Sequence, residues 1–369
     1  MLENAVIPNA DPTPLPAPVF LLKFLMILMF ILHILAMNIT VGGGVIAVVS
    51  GLKAKTNEKL SKLCRSLAKV FPFSVAATIT LGVAPLLFLQ VIYGQLFYTS
   101  SVILAWPWIT VIPILIIAYY GFYWFAFKGK EHGHGVGVAL GTVLLFMVIG
   151  FFYVNNMSLS AMPEKFITKY TSHPSGANLF LEQRFIIPRY LHFMVGATAI
   201  AGLFVIILGL IQKKKDLDQG NWMMRTGAKW FLYMTMAQVL IGIWFLITLP
   251  KDIMMLFMGR NILATMFLII AFLLALFTLV ILSRASKDEI LVKPLWSSIG
   301  LAVIIMVLMI LMRDILRTAF LKPTFQVSSL AVQTQFGPLI LFLATFVIGL
   351  GVMYYMLQKL ILVNRNRAK

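Results

Sequence analysis

Residues 19–51 read VFLLKFLMILMFILHILAMNITVGGGVIAVVSG. A helix needs about 20 apolar residues to cross the hydrocarbon core of a bilayer. This run exceeds that length, so it must tilt or begin outside the membrane. Outward from it the chain repeats the pattern. Nine apolar runs are expected to span, at about 19–51, 69–95, 104–127, 135–156, 186–212, 228–249, 259–283, 294–312 and 337–361. The fold class that follows is all-α: a polytopic membrane helical bundle forming one integral domain over residues 1–369. Residues 1–18, with Pro14, Pro16 and Pro18, read as an extended lead into the first helix.

Composition agrees. Of the 369 residues, 61% are hydrophobic and only 11% are charged, whereas a soluble protein of this length needs a charged surface. The net charge of +18 does not point to nucleic acid, because the basic residues sit in the short linkers between apolar runs. Twenty of the thirty Lys and Arg fall in the linkers that follow the first, third, fifth, seventh and ninth runs. By the positive-inside rule this places the N-terminus outside and the C-terminus inside. No basic region precedes the first run, so no cleavable signal peptide is expected. Cys64 is the single cysteine, which excludes an internal disulfide framework and the cysteine pair that attaches a c-type haem. The long outer loops, 157–185 and 313–336, are the places where loops tend to carry function. No internal repeat is evident, which weighs against an inverted-repeat transporter.

Histidine is the commonest protein ligand of haem iron. His33, in FILHILAMNITVGGG, and His192, in PRYLHFMVGATAIAG, both lie within spans and toward the same outer face. A histidine in lipid is costly and normally faces the bundle interior. The plainer alternative for either one is a helix–helix hydrogen bond. Met37 follows His33 by one helical turn and shares its face. Gly42, Gly43 and Gly44, and Gly196 and Gly202 near His192, leave room for a flat macrocycle or for close helix packing, and packing is the better expectation for glycines alone.

Five arginines at outer span ends, Arg184, Arg189, Arg260, Arg313 and Arg317, are candidates for haem propionates or a quinone, since guanidinium binds carboxylate bidentately. Interfacial anchoring is the alternative for each. Arg313, Asp314 and Arg317 form the tightest group, one turn long. Met266 and Met236 are further candidate axial ligands among 21 methionines. His132 and His134, beside Glu131, are too few for a metal site and read as a solvated inner loop. His173 reads as a surface residue. Acidic residues in the spans are few, which argues against proton pumping and oxygen reduction.

These stretches resemble the large, haem-bearing subunit of cytochrome bd quinol oxidases, best over residues 19–212. The His33 run resembles that family's first helix. FPFSVAATITLGVAPLLFLQVIYGQLFYTSS resembles its second helix and following loop, NNMSLSAMPEKF the end of its fourth, and YLHFMVGATAIAGLFVIILG its fifth. GRNILATMFLII resembles the helix that carries an arginine and an axial methionine. The resemblance implies that His192 binds the low-spin haem b and that His33 stands at the oxygen-reducing haem position. There are departures. Apolar residues around Trp108 and Ile116 replace the third-helix glutamates, and LILFLATFVIGLGVMYYMLQ lacks the ninth-helix glutamate. RDILRTAFL stands where a glycine–arginine–glutamine–proline motif is expected. The quinol loop shrinks to about LPKDIMMLFMG.

The function expected is a haem b subunit, carrying one or two haems, of a respiratory complex in a bacterial or archaeal cytoplasmic membrane. It would exchange electrons between quinone and an outer c-type cytochrome, with a second membrane subunit and lipid as partners. The alternatives are a haem-free transporter or assembly subunit on the same fold, and a divergent quinol-oxidising terminal oxidase. Fold alone does not choose among them.

Overall fold

The computed structural model describes residues 14–128, 135–285 and 292–366. Among them nine helices are long and apolar enough to cross a membrane, and no strand forms beyond an isolated bridge between Leu15 and Val332. The helices are α1 (Val19–Leu52), α2 (Glu58–Ala68), α3 (Phe71–Ile103), α4 (Ala105–Phe127), α5 (Gly135–Leu159), α6 (Phe166–Ser172), α7 (Ile186–Gln212), α8 (Leu217–Thr248), α9 (Lys251–Met255), α10 (Ile262–Ala285), α11 (Val292–Leu321) and α12 (Phe336–Asn366). The polytopic helical bundle expected from hydropathy is the fold observed. His132 and His134 lie outside the described residues.

Three helices run past their apolar stretches. α3 continues to Ile103 because Thr99, Ser100 and Ser101 donate their hydroxyls back to carbonyls of the preceding turn, which hides their polarity. α8 begins at Leu217, where the Asp216 side chain accepts from the Gln219 amide at 3.0 Å and caps the helix. α11 reaches Leu321, and its Arg313, Asp314 and Arg317 turn inward to line a cavity. α1, at 34 residues, is roughly 50 Å long, well beyond the bilayer core of about 30 Å.

Small residues set the closest helix contacts. A β-carbon on Gly202 of α7 would lie 2.7 Å from the Phe231 amide and 2.8 Å from the Gly227 carbonyl of α8. Gly42 of α1 lies against the backbone of Ala197 and Thr198, Gly43 faces the Phe71 ring, and Gly44 faces Val143 and Phe122. These glycines serve helix packing. Neither Gly42 nor Gly202 leaves room for a macrocycle.

The outer-loop candidates are ordered by their own contacts. In 157–185, Phe166, Phe180 and Phe185 are buried, Asn155 accepts from the Phe180 amide at 2.8 Å, and Asn178 donates to the Ile103 carbonyl at 3.1 Å. His173 is exposed. Beyond α11, Gln333 and Gln335 donate to the Leu15 and Pro16 carbonyls at 3.0 and 2.9 Å, so the proline-rich lead is stitched to that loop. LPKDIMMLFMG folds as α9 and a π turn, Leu256–Arg260, in which Gly259 takes a φ of +117°, a conformation glycine adopts without strain.

Candidate functional site

α1, α3, α4, α5, α7 and α11 enclose a cavity of about 320 Å³, within the usual size of ligand pockets. Most of its wall is apolar. At one place α1 sends in His33, with Met37 a turn further along. At another, α7 supplies Arg189 and α11 supplies Arg313, Asp314 and Arg317. Residues far apart in sequence are thus brought to one space.

His33 donates from Nδ1 to the Thr78 carbonyl of α3 at 2.9 Å. A carbonyl can only accept, so Nδ1 carries the proton and Nε2 keeps the lone pair. This is the arrangement seen in metal-ligating histidines, whose second nitrogen donates to a carbonyl or carboxylate. Met37 enters from the same helix face as His33, so it flanks that imidazole and cannot oppose it across a ring.

The cationic wall is short of anions. Arg189 donates from Nη1 to Ser158 Oγ at 2.8 Å. Arg313 lies over the Phe30 ring at 4.4 Å, and its Nε is buried with no hydrogen-bond partner. Arg317 lies 3.8 Å from Asp314 Oδ1 and stands over the Tyr93 ring at 5.2 Å. Lys23 of α1 reaches Asp314 Oδ2 at 3.5 Å. Asp314 is the one carboxylate among the described residues lining the cavity. It faces Lys23, Arg313 and Arg317, and the three guanidiniums are close enough to repel one another. Burying charge without a counter-charge is expensive, and this wall sets three guanidiniums against one carboxylate. Asp314 pairs with Lys23 and Arg317, and its Oδ1 accepts no hydrogen bond.

His192 does not line this cavity. It lies between α7 and α8, with its ring 6.3 Å from that of Phe245, its carbonyl accepting from Gln238 Nε2 at 2.8 Å, and its Nδ1 buried without a partner. Arg184 is exposed. Arg260 is exposed and pairs with Asp252 at 3.2 Å. Met266 and Met236 are 49% and 53% exposed on the outside of the bundle. The structure therefore gathers His33, Met37, Arg189, Arg313 and Arg317, and leaves His192, Arg184, Arg260, Met266 and Met236 elsewhere. Among the described residues no three His, Cys, Asp or Glu side chains converge on a metal-sized point.

Sequence reasoning passed over Thr78, Ser158 and Lys23, which partner His33, Arg189 and Asp314. Their only signal is a polar residue near an apolar run, and that signal is shared with many hydroxyls that merely bond their own helix.

The donor set of the cavity is one imidazole beside an apolar space and three guanidiniums with one carboxylate among them, a set compatible with a haem b and its two carboxylates. No family model matches the sequence, and no curated protein matches it. The bd oxidase from Geobacillus thermodenitrificans is similar in structure, with a TM-score of 0.70 over 91% of this chain and 96% of that chain, at 10% identity. The likeness extends well past residue 212, and at that identity it is a likeness of fold: this chain has a bd oxidase-like membrane fold.

Proposed function

We propose that the chain is the haem b subunit of a respiratory membrane complex and that it passes electrons between the quinone pool and an outer redox partner, a c-type cytochrome. One observation carries the reading: a single cavity joins a carbonyl-anchored histidine to three arginines with one carboxylate among them. His33 would ligate the iron, and Arg189, Arg313 and Arg317 would hold the propionates. Haem b supplies one-electron transfer. The protein's part is to set the imidazole, exclude water with its apolar wall, and fix the charge around the cofactor. His192, by resemblance, would ligate a second haem b. The basic linkers at the far end of the bundle support an orientation in which the arginine wall faces outward.

The test is a dithionite-reduced minus air-oxidised spectrum with a pyridine haemochrome count, on wild type, His33→Ala and His192→Ala. A b-type band in wild type that His33→Ala removes or reduces is the expected result. Well-folded wild-type protein that carries no haem overturns the reading.

A further inference from the structure

Both histidines within the spans turn the same ring edge to a glycine on the next helix. A β-carbon built on Gly82 of α3 would lie 2.8 Å from both Cε1 and Nδ1 of His33. One built on Gly242 of α8 would lie 3.2 Å from Cε1 and 3.5 Å from Nδ1 of His192. One turn before each glycine stands a polar residue that holds the same histidine. The Thr78 carbonyl accepts from His33 Nδ1 at 2.9 Å, and Gln238 Nε2 donates to the His192 carbonyl at 2.8 Å. The two segments, TITLG at 78–82 and QVLIG at 238–242, share that spacing.

Geometry explains the pairing. A helical side chain covers the surface over the turn N-terminal to its own Cα. A side chain at position 82 would therefore cover the carbonyl of residue 78, and one at 242 would cover that of 238. Glycine leaves those carbonyls open to an imidazole from the side, although each already accepts within its own helix.

We infer that Gly82 seats His33 as the Nδ1–H tautomer, which leaves the Nε2 lone pair for a metal, and that Gly242 seats the ring of His192 by the same edge. In the His192 seat Gln238 Nε2 tethers the histidine backbone, and the ring Nδ1 is buried with no hydrogen-bond partner. The glycines are positioning residues: they touch the imidazoles and not the iron. The identity of the metal rests on the haem reading above, whereas the tautomer does not.

The experiment uses the full chain, labelled with ¹⁵N-histidine, in wild type, Gly82→Ala and Gly242→Ala. Gly141→Ala and Gly300→Ala are controls, since a β-carbon at either meets nothing within 4 Å. Ring ¹⁵N shifts report the tautomers, and electron paramagnetic resonance reports the axial ligation of any haem. The expected result is an Nδ1–H signature for His33 in wild type and in the controls. Gly82→Ala should lose it and leave the His192 ring signals unchanged, and Gly242→Ala should shift the His192 ring signals alone. If Gly82→Ala does not fold, the pair Gly82→Ala with His33→Ala should restore folded yield, because the clashing ring is gone. Failure of that rescue overturns the seat, as do unchanged tautomers in folded glycine variants. Wild type without haem but with the His33 Nδ1–H signature would sink the electron-transfer reading and leave the seats standing. Haem with tautomers indifferent to the glycines would do the reverse.

Discussion

At the scale of the residue, Arg313 carries the clearest energetic debt. Its Nε is buried and unpartnered, and its guanidinium shares a cavity with Arg189, Arg317 and a single carboxylate. A bound dianion would relieve that repulsion. Arg313→Gln is therefore expected to weaken haem retention by about 1.5–3 kcal/mol, the range for a hydrogen bond to a charged group, as read by haem loss to apomyoglobin. It should also lower the haem midpoint potential, because removing a nearby positive charge favours the oxidised, more positive iron. A potential that stays the same in a folded variant would mean that Arg313 does not face the cofactor. His33, Met37 and all three arginines of the wall were legible in the sequence as costly or chemically apt residues in or beside spans. Their convergence was not, since His33, Arg189 and Arg313 each lie more than 100 residues apart along the chain.

At the scale of the element, the α7–α8 pair depends on bare backbone at Gly202 and Gly227. Gly202→Val would drive a side chain into the Phe231 amide and the Gly227 carbonyl. It should cost roughly 1–3 kcal/mol, as overpacking does, measured by denaturant unfolding in detergent. A variant with unchanged stability would show that α7 and α8 pack less closely than described. The start of α8 makes a pH prediction. The Gln219 amide, and then the charge of Lys62, hold the Asp216 carboxyl below its usual value of 3.8. A depressed acid stabilises the fold while ionised, so its contribution is complete above 3.8 and is lost as pH falls through the lower folded value. Between pH 5 and pH 3, wild type should lose more thermal stability than Asp216→Asn, which keeps a capping side chain but does not titrate. Equal losses would show that the cap does not couple to pH. Hydropathy does not reveal the N-cap at Asp216, because the first turns of α8 are polar and hydropathy tracks apolar length.

At the scale of the whole molecule, the two ends of the bundle differ in charge. α2 and the start of α8 are joined by Lys59 with Asp218 at 2.6 Å and Lys62 with Asp216 at 3.6 Å, at the end rich in lysine. A cysteine placed at Lys214 should be shielded from an impermeant maleimide in intact cells, and one placed at Thr168, which is exposed, should react. The native Cys64 is buried and should contribute little background. The opposite labelling pattern would reverse the proposed orientation.

Hydropathy by itself marked nine apolar runs as spanning helices, and nine helices long and apolar enough to cross a membrane stand among the described residues; lipid cannot satisfy backbone hydrogen bonds, so each span must do so alone. It also marked both histidines, since a polar ring in an apolar run has to be justified by a partner. Tertiary structure decided which of those residues share a space. Helix faces and crossing points are set by small-residue contacts such as Gly42 with Ala197 and Gly202 with Gly227. Those contacts rotate His33 toward the arginine wall while leaving Met266 and Met236 on the outside. Lipid is as apolar as a helix flank, so hydrophobicity does not choose which face turns inward, and packing does.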